Sequence, residues 1–283
     1  MRGLIGILLA SYTLTTQAIE TTDKRTFDSL DLQDGGRKLI REQVDMRLLQ
    51  ADTNSESGCN VPSSVGTEVI TEPISVGQFS PFDGGFKTYK RDVAFESGAL
   101  MTRENAVFVV QAGGLLRNVI ISGGGGVFCE MNNCRLDQVW FKDSVQGALH
   151  INSGTGITTI NGGGALNVAG SVVFGQGSGT VVVSGGFCME NSGMLFDSCG
   201  WCGPVMRAVV VDGLLSVNPT AELIRMNSNY KDCGTIAQTT VLTATDNYEL
   251  CTQFEGGAVP AKVGSGASPP VCAITSAVTV RSP

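Results

Sequence analysis

A single-stranded right-handed parallel β-helix is the all-β fold that this 283-residue chain predicts, and three observations carry the prediction. Glycine is abundant at 37 residues, while charged residues make up only 16%, against usual shares of about 7% and about 25%. Glycine takes positive φ without steric penalty, so this composition points to many short strands joined by tight turns. From Leu115 to Cys202 the chain consists of short apolar, β-branched runs broken by Gly, Asn or Asp, with no helical spacing. Apolar pairs then recur at Val119/Ile121, Val139/Phe141, Leu149/Ile151, Val181/Val183, Val209/Val211 and Leu223/Ile224, mostly within the ~20 to 45 residues of a solenoid repeat. A β-sandwich also has short strands at regular spacing, but the two-residue Asn-Gly and Asp-Gly loops of antiparallel hairpins are scarce here.

In chain order, Met1 to Ala18 has a basic Arg2, an apolar run from Leu4 to Ala10 and small residues at Thr16 and Ala18. That is the pattern of a cleavable secretory signal peptide, and the run is far shorter than the ~20 residues needed to span a bilayer. A secreted, extracellular protein with no membrane partner is therefore expected. Residues 19 to 58 are dense in charge of both signs, and Ile40, Val44 and Leu48 fall on one face of a short helix. They read as an extension or linker outside the main domain, which is expected over residues 59 to 283. Net charge of -7 and a pI near 4.8 argue against nucleic acid, whose phosphates need clustered Lys and Arg.

Export implies that most of the nine cysteines form disulfides. Cys129 and Cys134 are close enough to close a small loop, and Cys251 with Cys272 would pin the C-terminal segment. Cys199-Gly-Trp-Cys202 has redox or zinc spacing, but His150 is the chain's one histidine, which leaves too few ligands for a Cys2His2 site. A structural disulfide is the better reading. Nine is odd, and Cys188, alternating with strand residues, is expected to be a buried free thiol. His150 and Trp140 sit in strand patterns and read as structural; Trp201 is a candidate for stacking on sugars.

Several motifs, in order, resemble the small secreted pectate lyases of polysaccharide lyase family 3. They include Phe82-Asp83-Gly84-Gly85, Asn118-Val119-Ile120-Ile121, the Cys129/Cys134 pair, Gly162-Gly163-Gly164-Ala165, Ser198-Cys199-Gly200-x-Cys202, Val209-Val210-Val211-Asp212 and Phe254-Glu255-Gly256. The resemblance spans about residues 59 to 275. It implies the parallel β-helix, plant cell-wall polygalacturonate as partner, and calcium as cofactor if the reaction runs.

The implied reaction is β-elimination: a base removes the C5 proton beside a uronate carboxylate and the C4 glycosidic oxygen leaves. The carboxylate's charge must be neutralised for that proton to become acidic, which the family does with calcium and lysines, an arginine serving as base. Matched by motif, the three acidic metal positions fall at Gly125, Gln146 and Gly147, and the two lysines and the arginine fall at Val172, Met194 and Asp197. From Asp143 to Met206 there is no Lys or Arg at all, so no small shift of register restores them. The sequence therefore predicts a catalytically degenerate member that binds acidic glycan weakly or acts as an interaction protein. The alternative is an active calcium-dependent lyase with a rearranged site, using Lys142, Arg207 or Arg225 as cations and Glu130, Asp137 and Asp143 as calcium ligands.

Overall fold

The computed structural model describes residues 58–91, 99–145, 147–275 and 277–283. The expected signal peptide, the Ile40/Val44/Leu48 helix and Gln146 lie outside them. The fold is the right-handed parallel β-helix that the sequence predicts. One sheet stacks Ile74–Val76, Phe108–Val110, Val127–Cys129, Leu149–Ile151, Ser171–Gly175, Met194–Ser198, Ile224–Asn227 and Cys251–Glu255 in parallel, one strand per coil, and ends on the antiparallel Ala261–Ser265. A twelve-stranded sheet supplies the other faces. Its long strands, such as Leu115–Ser122, Arg135–Lys142 and Arg207–Val217, each bend at one residue.

That bend is a left-handed residue repeated from coil to coil: Asn118 (φ 52°) lies beside Gln138 (φ 54°), and Gly213 (φ 83°) beside Gln238 (φ 44°). A second left-handed column marks the next corner at Asp143, Asn167, Asn191 and Asn218. Asx side chains tolerate this backbone because they hydrogen-bond locally. Here Asn167 Nδ2 donates to Asp143 Oδ1 at 2.9 Å and Asn191 Nδ2 lies 3.5 Å from Asn167 Oδ1, a ladder along the solenoid.

The core is made of inward columns. Leu116, Leu136, Ile160, Val183, Val211 and Ile236 stack in register from the twelve-stranded sheet, and Phe108, Val127, Leu149, Val173, Phe196 and Ile224 from the nine-stranded sheet, all buried. Each contributes roughly 1.5–3 kcal/mol of burial, available only because the neighbouring coils are present.

The Cys129–Cys134, Cys199–Cys202 and Cys251–Cys272 disulfides form as the sequence suggests. Cys188 is a correction: it is bonded to Cys59 across 129 residues of chain, with Cα atoms 5.6 Å apart, and the free cysteine is Cys233. The reason lies on the outside of the twelve-stranded sheet, where Ile120, Trp140, Gly164, Cys188 and Leu215 form an outward row. A side chain at Gly164 would place its Cβ 2.7 Å from the Trp140 ring, so glycine leaves room for the indole. Cys59 and Val61 pack onto this row, and the Cys59 N–H donates to Glu190 Oε2 at 2.9 Å. Trp140 is buried as expected, under this covering segment and outside the solenoid interior.

Candidate functional site

The nine-stranded sheet carries an outward row of its own. Parallel register places equivalent residues of successive coils ~4.8 Å apart, which lines up Val109, Phe128, His150, Phe174, Asp197 and Arg225. Ring centroids are 5.2 Å apart for Phe128 and His150 and again for His150 and Phe174. Trp201 stacks on Phe174 from the side, at 5.7 Å and 30° between planes. The Cys199–Cys202 disulfide closes the loop that presents it. The same loop is pinned at Gly200, whose carbonyl accepts from the Tyr230 hydroxyl at 3.0 Å and the Gly257 N–H at 2.8 Å. Trp201 is nonetheless 52% exposed, an indole held in place with one face free.

Leu100 and Met101 form the opposite wall, Met101 being buried with Ala106, Val109 and Phe128 on the outside of the sheet. Between the walls lies a cleft of ≈ 200 Å³, floored by His150, Phe174, Met194 and Asp197, with Gly147 and Ser171 on its rim. Leu100, Met101 and His150 also line a neighbouring depression of ≈ 550 Å³ that reaches Arg103 and Glu130.

Asp197 is the one ionisable acid or base lining the cleft besides His150. Burial pushes its carboxyl up to about 6, against the Arg225 guanidinium and with a smaller push from Glu222. Arg225 Nη1 stands 3.7 Å from Asp197 Oδ1, while its Nη2 and Nε hold Glu222 Oε1 at 2.9 and 3.2 Å. Among the described residues no group hydrogen-bonds to the Asp197 carboxyl. Burial lowers the pKa of His150, despite a hydrogen bond between its Nε2 and Gln176 Oε1 at 3.1 Å, so its ring is neutral at neutral pH.

Of the positions matched to the family's chemistry, Met194 and Asp197 line the cleft, Gly147 edges it and Gly125 is buried one coil away. Gly147 has φ 84°, and a Cβ there would lie 2.4 Å from the Ser171 carbonyl oxygen. No carboxylate fits at that position without moving a coil. Val172 is fully buried in the solenoid core, and the residue facing the cleft opposite Met194 is Ser171.

The surrogate groups lie apart. Lys142 ends a strand of the other sheet, beside Val61 and Ser122. Arg207 is 1% exposed and donates to the carbonyls of Gln176 (2.8 Å from Nη2) and Val205 (3.2 Å from Nη1). Arg225 alone reaches the row. Glu130 pairs with Arg103, Asp137 lies between Arg117 and Asn161 in the other sheet, and Asp143 tops the Asn ladder. Calcium takes six to eight oxygen ligands, and among the described residues no three of His, Cys, Asp or Glu come together to hold a metal. Among the described residues, those present do not fit calcium.

Sequence reading missed Phe128, Phe174 and the Leu100–Met101 wall. The signal was present: Phe128, His150 and Phe174 are spaced one coil apart, each one residue past an inward apolar position.

The comparisons with known proteins agree with this architecture. The pectate lyase family model matches residues 58–259. Probable pectate lyase D of Emericella nidulans is 37% identical over 199 residues, 69% of this chain and 74% of its own. Probable pectate lyase E of Aspergillus clavatus is 37% identical over 216 residues, 74% and 82% of the two chains. Among solved structures, a pectate lyase from Pectobacterium carotovorum superposes with a TM-score of 0.63 at 19% identity, over 80% of this chain and 74% of that one. A pectate lyase from Erwinia chrysanthemi in complex with tetragalacturonic acid gives 0.57 at 22%, over 77% and 70%; at such identities these two speak to the fold. Strand order, family model and curated relatives converge, and the chain belongs to the pectate lyase family.

Proposed function

We propose that this chain is an exported pectate-lyase-family protein that binds cell-wall galacturonan without performing calcium-dependent β-elimination. The observation that carries the reading is the composition of its cleft: one carboxyl group, one neutral imidazole, and no lysine or arginine among the lining residues. Elimination from pectate needs a positive charge against the uronate carboxylate and a base at C5. Here the first is missing, and among the described residues no group of acidic or imidazole side chains gathers to hold a metal in its place. Export is supported by the Met1 to Ala18 pattern and by four disulfides.

The test is purified protein with polygalacturonate, with and without calcium, followed by the ultraviolet absorbance of the 4,5-unsaturated product. No rise above the protein-free blank is expected; a calcium-dependent rise abolished by chelation would overturn the reading. The active alternative rests on Arg225, the cation nearest Asp197, and it requires that Arg225→Ala abolish such a rise.

A further inference from the structure

The groove beside Trp201 has a chemistry that selects its ligand. A free indole face, braced by Phe174 beneath and by a disulfide-closed loop, is a platform for the apolar face of a sugar ring. Next to it is a carboxyl group that is 9% exposed, faces the cleft and has no hydrogen-bond partner among the described residues, although buried polar groups are nearly always paired. An aromatic platform beside a carboxyl that makes no hydrogen bond, its one ionic partner being Arg225 at 3.7 Å, is an arrangement that recognises hydroxyls. The charge balance then excludes acidic sugars. The cleft offers no cation, Arg225 is engaged by Glu222, and the chain carries a net charge of -7, so a uronate carboxylate entering here would be desolvated beside Asp197 without compensation. Met194, Met101 and Leu100 give the remaining walls an apolar character.

We propose that this groove binds methyl-esterified, and therefore uncharged, galacturonan: the pyranose ring stacks on Trp201, its hydroxyls reach Asp197, and the ester methyl faces the methionine and leucine walls. The assignment rests on the galacturonan-binding reading above and names its substrate class. The ester does to the uronate what calcium and lysines do in the implied family reaction, removing the charge, so a site without cations retains a galacturonan it can hold.

The test is affinity electrophoresis and calorimetry of the whole chain with three polymers: highly methyl-esterified pectin, the same pectin after saponification, and an uncharged galactan. Esterified pectin is expected to bind at least about tenfold more tightly than its saponified form, with no change on chelation. Trp201→Ala and Asp197→Ala should each weaken it by about tenfold or more, with thermal unfolding followed in parallel to show that both variants are folded. Equal or tighter binding of the saponified polymer overturns the proposal, as does retention of affinity in folded Trp201→Ala. Galactan binding as tight as esterified pectin overturns the ester assignment. Formation of unsaturated ends in the lyase assay would instead overturn the non-catalytic reading and leave this ligand preference to be decided by the binding data alone.

Discussion

Both sheets of the solenoid carry an outward apolar row, and the two are finished differently. Ile120, Trp140, Cys188 and Leu215 are covered by Cys59 and Val61 and locked by a disulfide. Phe128, His150, Phe174 and Asp197 are covered only at the Phe128 end, by Met101, and open beside Trp201. The first row is apolar apart from small gaps, as burial against more chain requires. In the second the residue type changes at every coil, from aromatic to imidazole to aromatic to carboxyl to guanidinium, which repeated packing alone does not call for. A solenoid must cover an outer apolar row or use it, and here one side does each.

Substitutions that separate stability from binding sharpen this contrast. Trp140→Ala in the covered row should cost about 3–5 kcal/mol, measured by denaturant unfolding, and leave glycan affinity unchanged in the folded fraction. A cost below about 1 kcal/mol would mean that the covering segment is not part of the fold's stability.

Asp197→Asn is expected to act with a sign that depends on pH. Unfolded, the carboxyl ionises near its ordinary value of 3.8; folded, it keeps its proton to about 6, chiefly because it is buried, with Arg225 opposing and Glu222 adding. Across that window folding takes up a proton, so native stability falls as pH rises, by up to about 3 kcal/mol. Asn removes the slope: variant and parent should be equally stable near pH 4, and the variant more stable at pH 7. A difference independent of pH would show that the carboxyl is not buried as described. His150, whose depressed pKa faces the other way, loses stability as pH falls below its ordinary value of 6.5.

Trp201→Ala should cost only about 1 kcal/mol, the worth of one exposed aromatic stack, despite removing the largest side chain on the groove. A cost equal to that of Trp140→Ala would make the two rows the same kind of structure. Smallest of all, Lys142→Ala should change stability by less than about 0.5 kcal/mol, since among the described residues its ammonium makes no ion pair.

The repeat made the fold legible. Val139, Leu149, Val183 and Val211 announce themselves by strand alternation, and cysteines separated by 5, 3 and 21 residues invite pairing. Stacking is what hides the rest, because it joins residues far apart in sequence. Nothing local marks Cys59 as the partner of Cys188, or the segment at Leu100 as a wall of the cleft. Val172 shows a second limit: within the strand Ser171–Gly175 both Val172 and Val173 are buried in the core, so in-out alternation breaks there and the motif falls on a core residue beside the groove-facing Ser171. The absence of Lys and Arg from Asp143 to Met206 was readable from the start, and it remains the feature on which the functional reading turns.

The Cys59–Cys188 bond also bears on how the stack can open. Stacked repeats open from their ends, one coil after another, and this bond ties the first described residues to the middle of the stack, so the N-terminal end cannot peel away by itself. Opening is left to the other end, where Ala261–Ser265 is largely exposed. A protease that cuts once anywhere between Cys59 and Cys188 frees no fragment until a reductant arrives.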